Sequence, residues 1–347
     1  MRTGAEVATE RFGADEAFTT EELDIRLGGL LEDVTDLWFS FGRDADSERR
    51  VNGILGGLRK GRKAAKGPVT IHDSHALLAE LRIRKTEDEL TAMREGARIT
   101  SEAHRLAMEK VRPGMREYEI QALIEYTFRR HGAWGWAYQS IVGGGSNACI
   151  LHYVRNDSVL RDGDLMLIDA GAEVDGYATD VTRTSPVNGR YQGPQRDLYQ
   201  LVLEIQETAC AAVVQGATID GIHDDVVRGL TGGLIELGLL TGSVDEAIES
   251  ESYKRFYMHK TSHWLGLDVH DVGRYKLKGG AARPLEPGMV ITIEPGLYVA
   301  HDDETVPEAF RGIGIRIEDD MLVTEGGNEN LTVDIPKRIE DVEALRR

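Results

Sequence analysis

Cysteine is nearly absent from this sequence. Of the 347 residues only Cys149 and Cys210 carry a thiol, and they lie far apart. Two distant cysteines exclude a disulfide scaffold, and they also exclude a zinc site built on thiolates. Any metal site in this chain must therefore be built from carboxylate oxygens and imidazole nitrogens.

Long apolar runs and positive charge are also scarce. No apolar stretch approaches the ~20 residues that span a bilayer, and the opening MRTGAEVATERFGADE lacks the apolar core of a secretory signal. The formal net charge is −18 and the sequence pI is near 5.0, so the surface repels phosphate backbones. These features predict a cytoplasmic protein with neither a membrane nor a nucleic acid as partner.

The first 80 residues predict a small α/β unit. They combine a helical segment over 20–31, a strand-like run over 36–41 and a second helical segment that ends in the basic stretch 59–66. Gly67-Pro68 then interrupts the pattern. So few apolar residues cannot form a large independent core.

Residues 85–347 predict a larger α+β domain of two related halves. Thr86-Glu-Asp-Glu89 has the spacing of a capping box and marks a helix start. The periodicity then changes from helical to alternating, and the same order recurs once. The predicted elements are helices over 86–110, 118–131, 197–215 and 221–240 and strands over 150–154, 165–169, 290–294 and 313–318.

Two aspartates flank a predicted hairpin. Asp175-Gly176 favours a two-residue turn in which both residues take positive φ, so Val174 pairs with Tyr177. That register places Asp169 and Asp180 as diagonal neighbours on one face of the strand pair. Two carboxylates this close must take up a proton or share a cation.

Three histidines and two glutamates complete the candidate site. His259, His263 and His270 lie within twelve residues, and imidazole is both a metal ligand and a proton carrier. Glu294 ends a strongly apolar run, where a carboxylate is costly to bury without a cation or a proton. Glu318 shares a strand face with Arg316, which we expect to orient it. Four carboxylates and one imidazole suit a pair of divalent ions roughly 3.5–4 Å apart.

The motifs of the second part resemble those of the proline-specific M24 peptidases of the pita-bread fold, and most of all the bacterial Xaa-Pro aminopeptidase (aminopeptidase P) group. The resemblance runs from about residue 85 to the C-terminus. The matching segments are IVGGGSNACILHY, DGDLMLIDAGAEVDGYATDVTRTSPVNG, YMHKTSHWLGLDVHDVG, LEPGMVITIEPGLYV, RGIGIRIEDD and GNENLT.

The resemblance implies a role for each matching residue. It implies two divalent ions, most often Mn²⁺ with Co²⁺, Fe²⁺ or Zn²⁺ as alternatives, and two bridging ligands, Asp180 and Glu318. It places Tyr138 against a bridging aspartate. The implied metal ligands are Asp169, Asp180, His263, Glu294 and Glu318. The implied catalytic residues are Glu294 as proton acceptor, His270, His259, His152 and Arg316, and the substrate-side residues are His152, His259, His270 and Tyr298.

The same resemblance implies peptide substrates with proline second, a homo-oligomer (a dimer or a tetramer) and a shortened N-terminal domain. Two alternatives stay open. A Xaa-Pro dipeptidase (prolidase) would share every ligand and would need a basic group for the substrate carboxylate, such as Arg43, Arg49 or Arg50. A catalytically inactive pita-bread binding module would have lost ligands, and none is missing. Gly143-Gly-Gly-Ser-Asn-Ala148 fits a dinucleotide motif but precedes no predicted helix.

Overall fold

The computed structural model describes residues 4–60 and 66–346. The predicted basic stretch 59–66 therefore lies mostly on residues outside the described ones. The chain forms two compact units, Met1–Ala79 and Glu80–Arg347. In the described ranges no helix is both long enough and apolar enough to cross a membrane.

The first unit is small and has a small core. Its core is a cluster of three buried apolar side chains, Leu31, Val51 and Leu55. Strands β1 and β2 pair in parallel, and β1 is shorter than the predicted run. The elements are α1 (Ala5–Phe12), α2 (Leu23–Leu31), β1 (Asp36–Trp38), α3 (Ala45–Leu58), β2 (Thr70–His72) and α4 (Ser74–Ile83), the last reaching into the second unit.

The first half of the second unit begins at the predicted capping box. The Glu89 carboxylate accepts the Thr86 N–H at 2.7 Å, and the Thr86 hydroxyl accepts the Glu89 N–H at 3.4 Å. The elements of this half are α5 (Glu87–Lys110), α6 (Glu117–Arg130), β3 (Gly135–Trp136), β4 (Ile141–Gly144), β5 (Leu165–Asp169), β6 (Ala172–Val174), β7 (Tyr177–Ala178) and β8 (Thr182–Pro186).

The second half repeats this order, as predicted. Two long helices precede the strands, and a buried apolar cluster joins them. Its elements are α7 (Pro194–Ala211), α8 (Ile219–Glu236), α9 (Val244–Glu249), β9 (Val290–Ile293), β10 (Gly296–Tyr298), β11 (Gly314–Arg316), β12 (Asp319–Thr324), β13 (Gly327–Asn330) and α10 (Ile339–Ala344).

The strands of the second unit form four small sheets, and the candidate site residues lie at or near the ends of these strands. The orders are β4-β5-β8 and β3-β6-β7 in the first half, and β13-β12-β9 and β10-β11 in the second. The helices α5 and α6 cover the first set through a buried cluster that includes Ile99, Phe128 and Ile168. Apolar packing on one side thus leaves polar strand ends free to form a site.

The predicted hairpin is confirmed. Asp175 and Gly176 have φ values of 50° and 85°, and Val174 pairs with Tyr177. The same register continues beyond the turn, because Asp169 pairs with Thr182. Asp180 itself lies in the three-residue link between β7 and β8.

The predicted strand over 150–154 is wrong. The strand of this region is β4, which ends at Gly144, and a 3-10 helix over Gly145–Cys149 follows it. Ile150 and Val154 are exposed, whereas Tyr153 is buried and donates to Glu117 at 2.8 Å. The segment is an irregular turn held by this hydrogen bond, because three glycines end the extended structure before the apolar run begins.

Candidate metal centre

Asp169 ends a strand that has no exposed residue. All five residues of β5 are buried, and Asp169 is only 8% exposed. Burial raises the pKa of Asp169, the Arg316 guanidinium opposes that rise and the neighbouring Asp180 adds to it. The Asp169 carboxylate accepts from Tyr138 Oη at 2.6 Å and from Arg316 Nη2 at 2.5 Å. One fixed cation therefore balances this carboxylate.

Tyr138 contacts a different aspartate from the one that the resemblance implies. Its hydroxyl donates to Asp169, whereas the implied bridging aspartate is Asp180. Burial and the charge of Asp169 raise the pKa of Tyr138 well above its usual range, so the phenol keeps its proton. Tyr138 therefore acts as a hydrogen-bond donor at this site.

His263 presents one ring nitrogen to the carboxylates. Its backbone exchanges hydrogen bonds with Thr292 of β9, and its Nδ1 lies 3.0 Å from the Trp264 carbonyl oxygen. A carbonyl only accepts, so Nδ1 carries a proton, and Nε2 is the nitrogen that can bind a metal. Nε2 faces Asp180 Oδ2 at 3.3 Å and Glu294 Oε1 at 3.5 Å.

Glu294 follows the last residue of β9 and is fixed at its backbone. Its N–H donates to the Thr261 carbonyl oxygen at 2.8 Å. Burial raises the pKa of Glu294 to about 7, against the opposing charge of His263 and with the repulsion of Asp180. Its two oxygens face His263 and, at 3.8 Å, His259 Nδ1.

Glu318 is linked to Arg316 through a third residue. We predicted that Arg316 orients Glu318 directly, but its Nε donates to Thr182 Oγ1 at 3.0 Å. That hydroxyl in turn donates to Glu318 Oε2 at 2.7 Å. Burial and the charges of Asp180 and Glu294 raise the pKa of Glu318 well above its usual range. Arg316 thus reaches Glu318 only by way of Thr182.

Three of the five predicted ligands converge closely. Asp180, His263 and Glu318 each offer an atom, and these atoms all lie within 4.8 Å of one another. Glu294 adjoins this group through His263, and Asp169 stands beside it against Arg316 and Tyr138. Four carboxylates near a single guanidinium leave an excess of buried negative charge. Such a cluster fits divalent cations, which oxygen and imidazole ligands bind well.

His259 belongs to a hydrogen-bonded chain that starts at Arg316. Arg316 Nη1 donates to Tyr298 Oη at 3.0 Å, and Tyr298 Oη lies 2.8 Å from His259 Nε2. His259 Nδ1 lies 2.8 Å from the Lys260 carbonyl oxygen. Burial and the charge of Arg316 lower the pKa of His259 to about 3. The ring is therefore neutral, with its proton on Nδ1 and with Nε2 accepting from Tyr298.

His270 and His152 face the same site from two loops. The rings of His270 and His263 meet edge to face with centroids 4.5 Å apart. Burial and the charge of His263 lower the pKa of His270. His152 is exposed, and its charge also lowers the pKa values of His259 and His270. These four histidines therefore share one electrostatic environment.

Sequence reasoning missed two residues of this site. Thr182 could have been found, because the predicted register places it opposite Asp169. Asp320 could not, because its role depends on a contact across the two halves. Its Oδ2 accepts the backbone N–H of Asp180 at 3.1 Å, and its Oδ1 is buried without a partner among the described residues.

A cavity adjoins the site on the His259 side. It has a volume of about 690 Å³. Besides Tyr257 and His259, its walls come from α8 and from the segment around Tyr253. His223 Nδ1 and Tyr257 Oη both lie within hydrogen-bond distance of Thr261 Oγ1, at 2.8 and 2.6 Å. The wall nearest the site is thus rigidly held.

Comparison with known proteins agrees with this arrangement. Residues 91–325 match the metallopeptidase family M24. The Xaa-Pro aminopeptidase of Escherichia coli (strain K12) is 48% identical over 99% of this chain and 78% of its own length. The aminopeptidase PepP of Pseudomonas aeruginosa superposes with a TM-score of 0.97 at 46% identity, over 99% of this chain and 78% of that one.

A second solved structure is equally similar. The zinc-substituted aminopeptidase P of Escherichia coli in complex with product has a TM-score of 0.95 at 47% identity and covers the same shares, 99% and 78%. Likeness of this extent confirms the predicted pita-bread fold. By its sequence, by its fold and by its cluster of buried carboxylates, the chain belongs to the metallopeptidase family M24.

Proposed function

We propose that this chain is a dinuclear metal-dependent exopeptidase that releases the N-terminal residue from peptides with proline second. The observation that carries the proposal is the convergence of Asp180, His263 and Glu318 within 4.8 Å. Relatives named Xaa-Pro aminopeptidase, similar over 99% of this chain, support the substrate class.

Five side chains are suited to hold two ions. Four oxygen ligands and one nitrogen ligand favour Mn²⁺, with Co²⁺, Fe²⁺ or Zn²⁺ as alternatives. The residues that would hold the ions are Asp169, Asp180, His263, Glu294 and Glu318. Bound divalent ions would polarise the scissile carbonyl and lower the pKa of the water that attacks it.

Glu294 is our candidate for moving the proton of that water. Its Oε1 lies 3.5 Å from His263 Nε2, and its backbone is fixed by Thr261. We infer that it accepts the water proton and passes it to the proline nitrogen, which has no hydrogen of its own before cleavage. Arg316 and Tyr138 keep Asp169 charged and in place, since both donate to it.

We assign the histidines two different roles. Both ring nitrogens of His259 are already hydrogen-bonded, to Tyr298 and to the Lys260 carbonyl. The hydrogen-bonded chain from Arg316 through Tyr298 fixes the His259 ring, and we assign His259 and Tyr298 to binding the substrate. His270 has no hydrogen bond of its own among the described residues, so we assign it, with His152, to the oxyanion and the proline ring.

The cavity beside His259 supports an aminopeptidase over a dipeptidase. A volume of about 690 Å³ lies in the range of sites that bind sizeable ligands, so residues beyond proline have room. One observation favours the dipeptidase. Lys260, which follows His259 and lines this cavity, is a basic group that could hold the carboxylate of a dipeptide.

We further propose a cytoplasmic location and a homo-oligomer, a dimer or a tetramer. Cys149 and Cys210 are both free thiols, as is usual in a reducing compartment. The first unit exposes large apolar side chains such as Ile25, Leu30 and Trp38, and exposed apolar groups of this size often mark protein interfaces.

The test uses Mn²⁺-loaded protein with a matched Xaa-Pro dipeptide and Xaa-Pro-Xaa tripeptide. We expect faster release of the first residue from the tripeptide. The Glu294→Gln variant should lose turnover, by roughly 10²–10⁴-fold as for other general bases. The exposed Glu304→Gln serves as control. Near-normal turnover of metal-loaded Glu294→Gln would remove Glu294 from this role, and no cleavage of either peptide would contradict the proposed substrate class.

A further inference from the structure

Lys85 is a buried lysine outside the candidate metal centre. Its side chain is only 1% exposed, and its ammonium lies 3.8 Å from Asp271 Oδ2. It also donates to the Ile83 carbonyl oxygen at 3.4 Å. Its backbone is held as well, because its N–H donates to the Gly288 carbonyl oxygen at 2.8 Å. A buried ammonium is costly unless it is paired, so this position calls for a reason.

Asp271 is the residue that follows His270, and its side chain is equally buried at 1% exposure. Its Oδ1 accepts the Val272 N–H at 2.8 Å and also the Arg82 guanidinium. Its own N–H donates to the Trp264 carbonyl oxygen at 2.9 Å. Its Oδ2 has no hydrogen-bond partner in the described part of the chain, so Lys85 is the charge that faces it.

The loop that carries His270 lies directly on this ion pair. A Cβ at Gly266 would stand 2.2 Å from Asp271 Oδ2 and 3.1 Å from Lys85 Nζ. The Gly266 carbonyl oxygen accepts the Ala178 N–H at 2.8 Å. The glycine therefore lets the backbone close over the pair, and the loop is also held to Ala178.

We propose that the buried Lys85–Asp271 pair positions the loop that carries His270, and that the charge on Lys85 is needed for catalysis. Loss of that charge would leave Asp271 Oδ2 buried without a facing cation, with only Oδ1 still bound by Arg82, and the loop would relax away from the metal centre. The proposal rests on the role proposed above for His270. Lys85 touches no reacting atom and is a positioning residue.

The surroundings of Lys85 make its charge sensitive to pH. Burial lowers the pKa of Lys85 to about 8, although the carboxylates of Asp271 and Glu89 oppose that fall and the guanidinium of Arg82 adds to it. The charged form is therefore present below about pH 8 and is lost above it. Activity should fall over the same range.

The experiment measures kcat and KM for a Xaa-Pro-Xaa tripeptide from pH 6.5 to 9.5 with metal-loaded protein. We expect Lys85→Met to lower kcat roughly 10–100-fold, the usual effect of losing an outer-shell partner, with bound metal unchanged. Lys85→Arg keeps the charge at high pH, so it should retain kcat and move the alkaline limb upward. The exposed Lys110→Met is the control.

Two results would overturn the proposal. One is a Lys85→Met enzyme with the kcat and pH profile of the wild type. The other is a Lys85→Arg enzyme with an unmoved alkaline limb. Should Lys85→Met fail to fold, Asp271→Asn removes the partner charge and should lower kcat in the same way; an unchanged kcat would count against the pair. A wild type that cleaves no Xaa-Pro peptide would contradict the proposed function instead.

Discussion

The hydroxyl of Thr182 connects the two halves of the second unit at the candidate metal centre. Thr182 Oγ1 accepts from Arg316 Nε at 3.0 Å and donates to Glu318 Oε2 at 2.7 Å. Because an arginine only donates and a carboxylate only accepts, the hydroxyl must point towards Glu318. Thr182 thus fixes the orientation of a proposed metal ligand.

Replacing this hydroxyl by a methyl group should weaken metal binding. We expect Thr182→Val to lower metal affinity roughly 10–100-fold, the range for outer-shell partners, because Glu318 loses its only side-chain donor among the described residues. Metal titration by calorimetry measures the change. Thr208→Val, at an exposed helical position, should leave affinity unaltered. Equal affinities in all three proteins would mean that Thr182 does not orient Glu318.

The sequence predicted the residues of this site better than the hydrogen bonds that link them. Asp169 and Glu294 could be singled out locally, because a carboxylate after an apolar run needs a partner, and the hairpin register placed Asp180 beside Asp169. The hairpin register even paired Asp169 with Thr182. The link from Thr182 to Glu318 spans 136 residues, and no periodicity within one segment carries that information.

At the scale of elements, a buried histidine joins helix α5 to the residue that follows strand β5. His104 Nε2 lies 2.9 Å from the Ala170 carbonyl oxygen, so the ring donates from this nitrogen. Its Nδ1 is buried without a partner in the described ranges. Burial lowers the pKa of His104 from 6.5 to about 4, the hydrogen bond to Ala170 opposes that fall, and the charge of Arg183 adds to it.

This histidine should make the free energy of unfolding depend on pH. The unfolded chain takes up a proton below about pH 6.5 and the folded protein only near pH 4, so the free energy of unfolding falls as pH falls through this window. At ~1.36 kcal/mol per pH unit the loss is on the order of 3 kcal/mol. In urea unfolding, His104→Gln should lose less stability over this window than the wild type. Parallel losses would contradict this assignment.

The element that sequence reasoning got wrong has a similar explanation. The run Ile150–Val154 alternates like a strand, but the strand ends at Gly144 and the chain turns through Gly145–Cys149. What holds the turn is the hydrogen bond from Tyr153 to Glu117, which lies on helix α6. A tertiary contact overrode the local pattern, as it commonly does for short apolar runs.

At the scale of the whole molecule, the two units differ in how many residues their helices bury. Helices α3 and α6 both have 14 residues, but α3 buries two residues and α6 buries five. Local stability follows buried contact. In native-state hydrogen exchange we therefore expect the amides of α3 to exchange faster than those of α6, roughly 10-fold or more. Equal protection of the two helices would show that the units unfold together.

The cavity beside His259 also belongs to this scale, because it is walled by α8 and by the segment that carries the histidines. Lys260 lines it, and no ion pair of Lys260 is formed within the described residues. Its ammonium can therefore bind the C-terminal carboxylate of a short peptide. An exposed pair of this kind contributes about 0.2–1 kcal/mol, which corresponds to roughly a 1.5–5-fold change in KM.

Amidation of a tripeptide isolates this contribution. We expect the amide to raise KM for the wild type by that factor, and we expect Lys260→Ala to bind the acid and the amide equally. Lys110→Ala, at an exposed site on α5, should keep the wild-type difference. If Lys260→Ala also keeps this difference in KM between the acid and the amide, a group other than Lys260 binds the carboxylate. If the wild type cleaves dipeptides faster than either tripeptide, Lys260 serves a dipeptidase, because the ammonium then binds the carboxylate of proline itself.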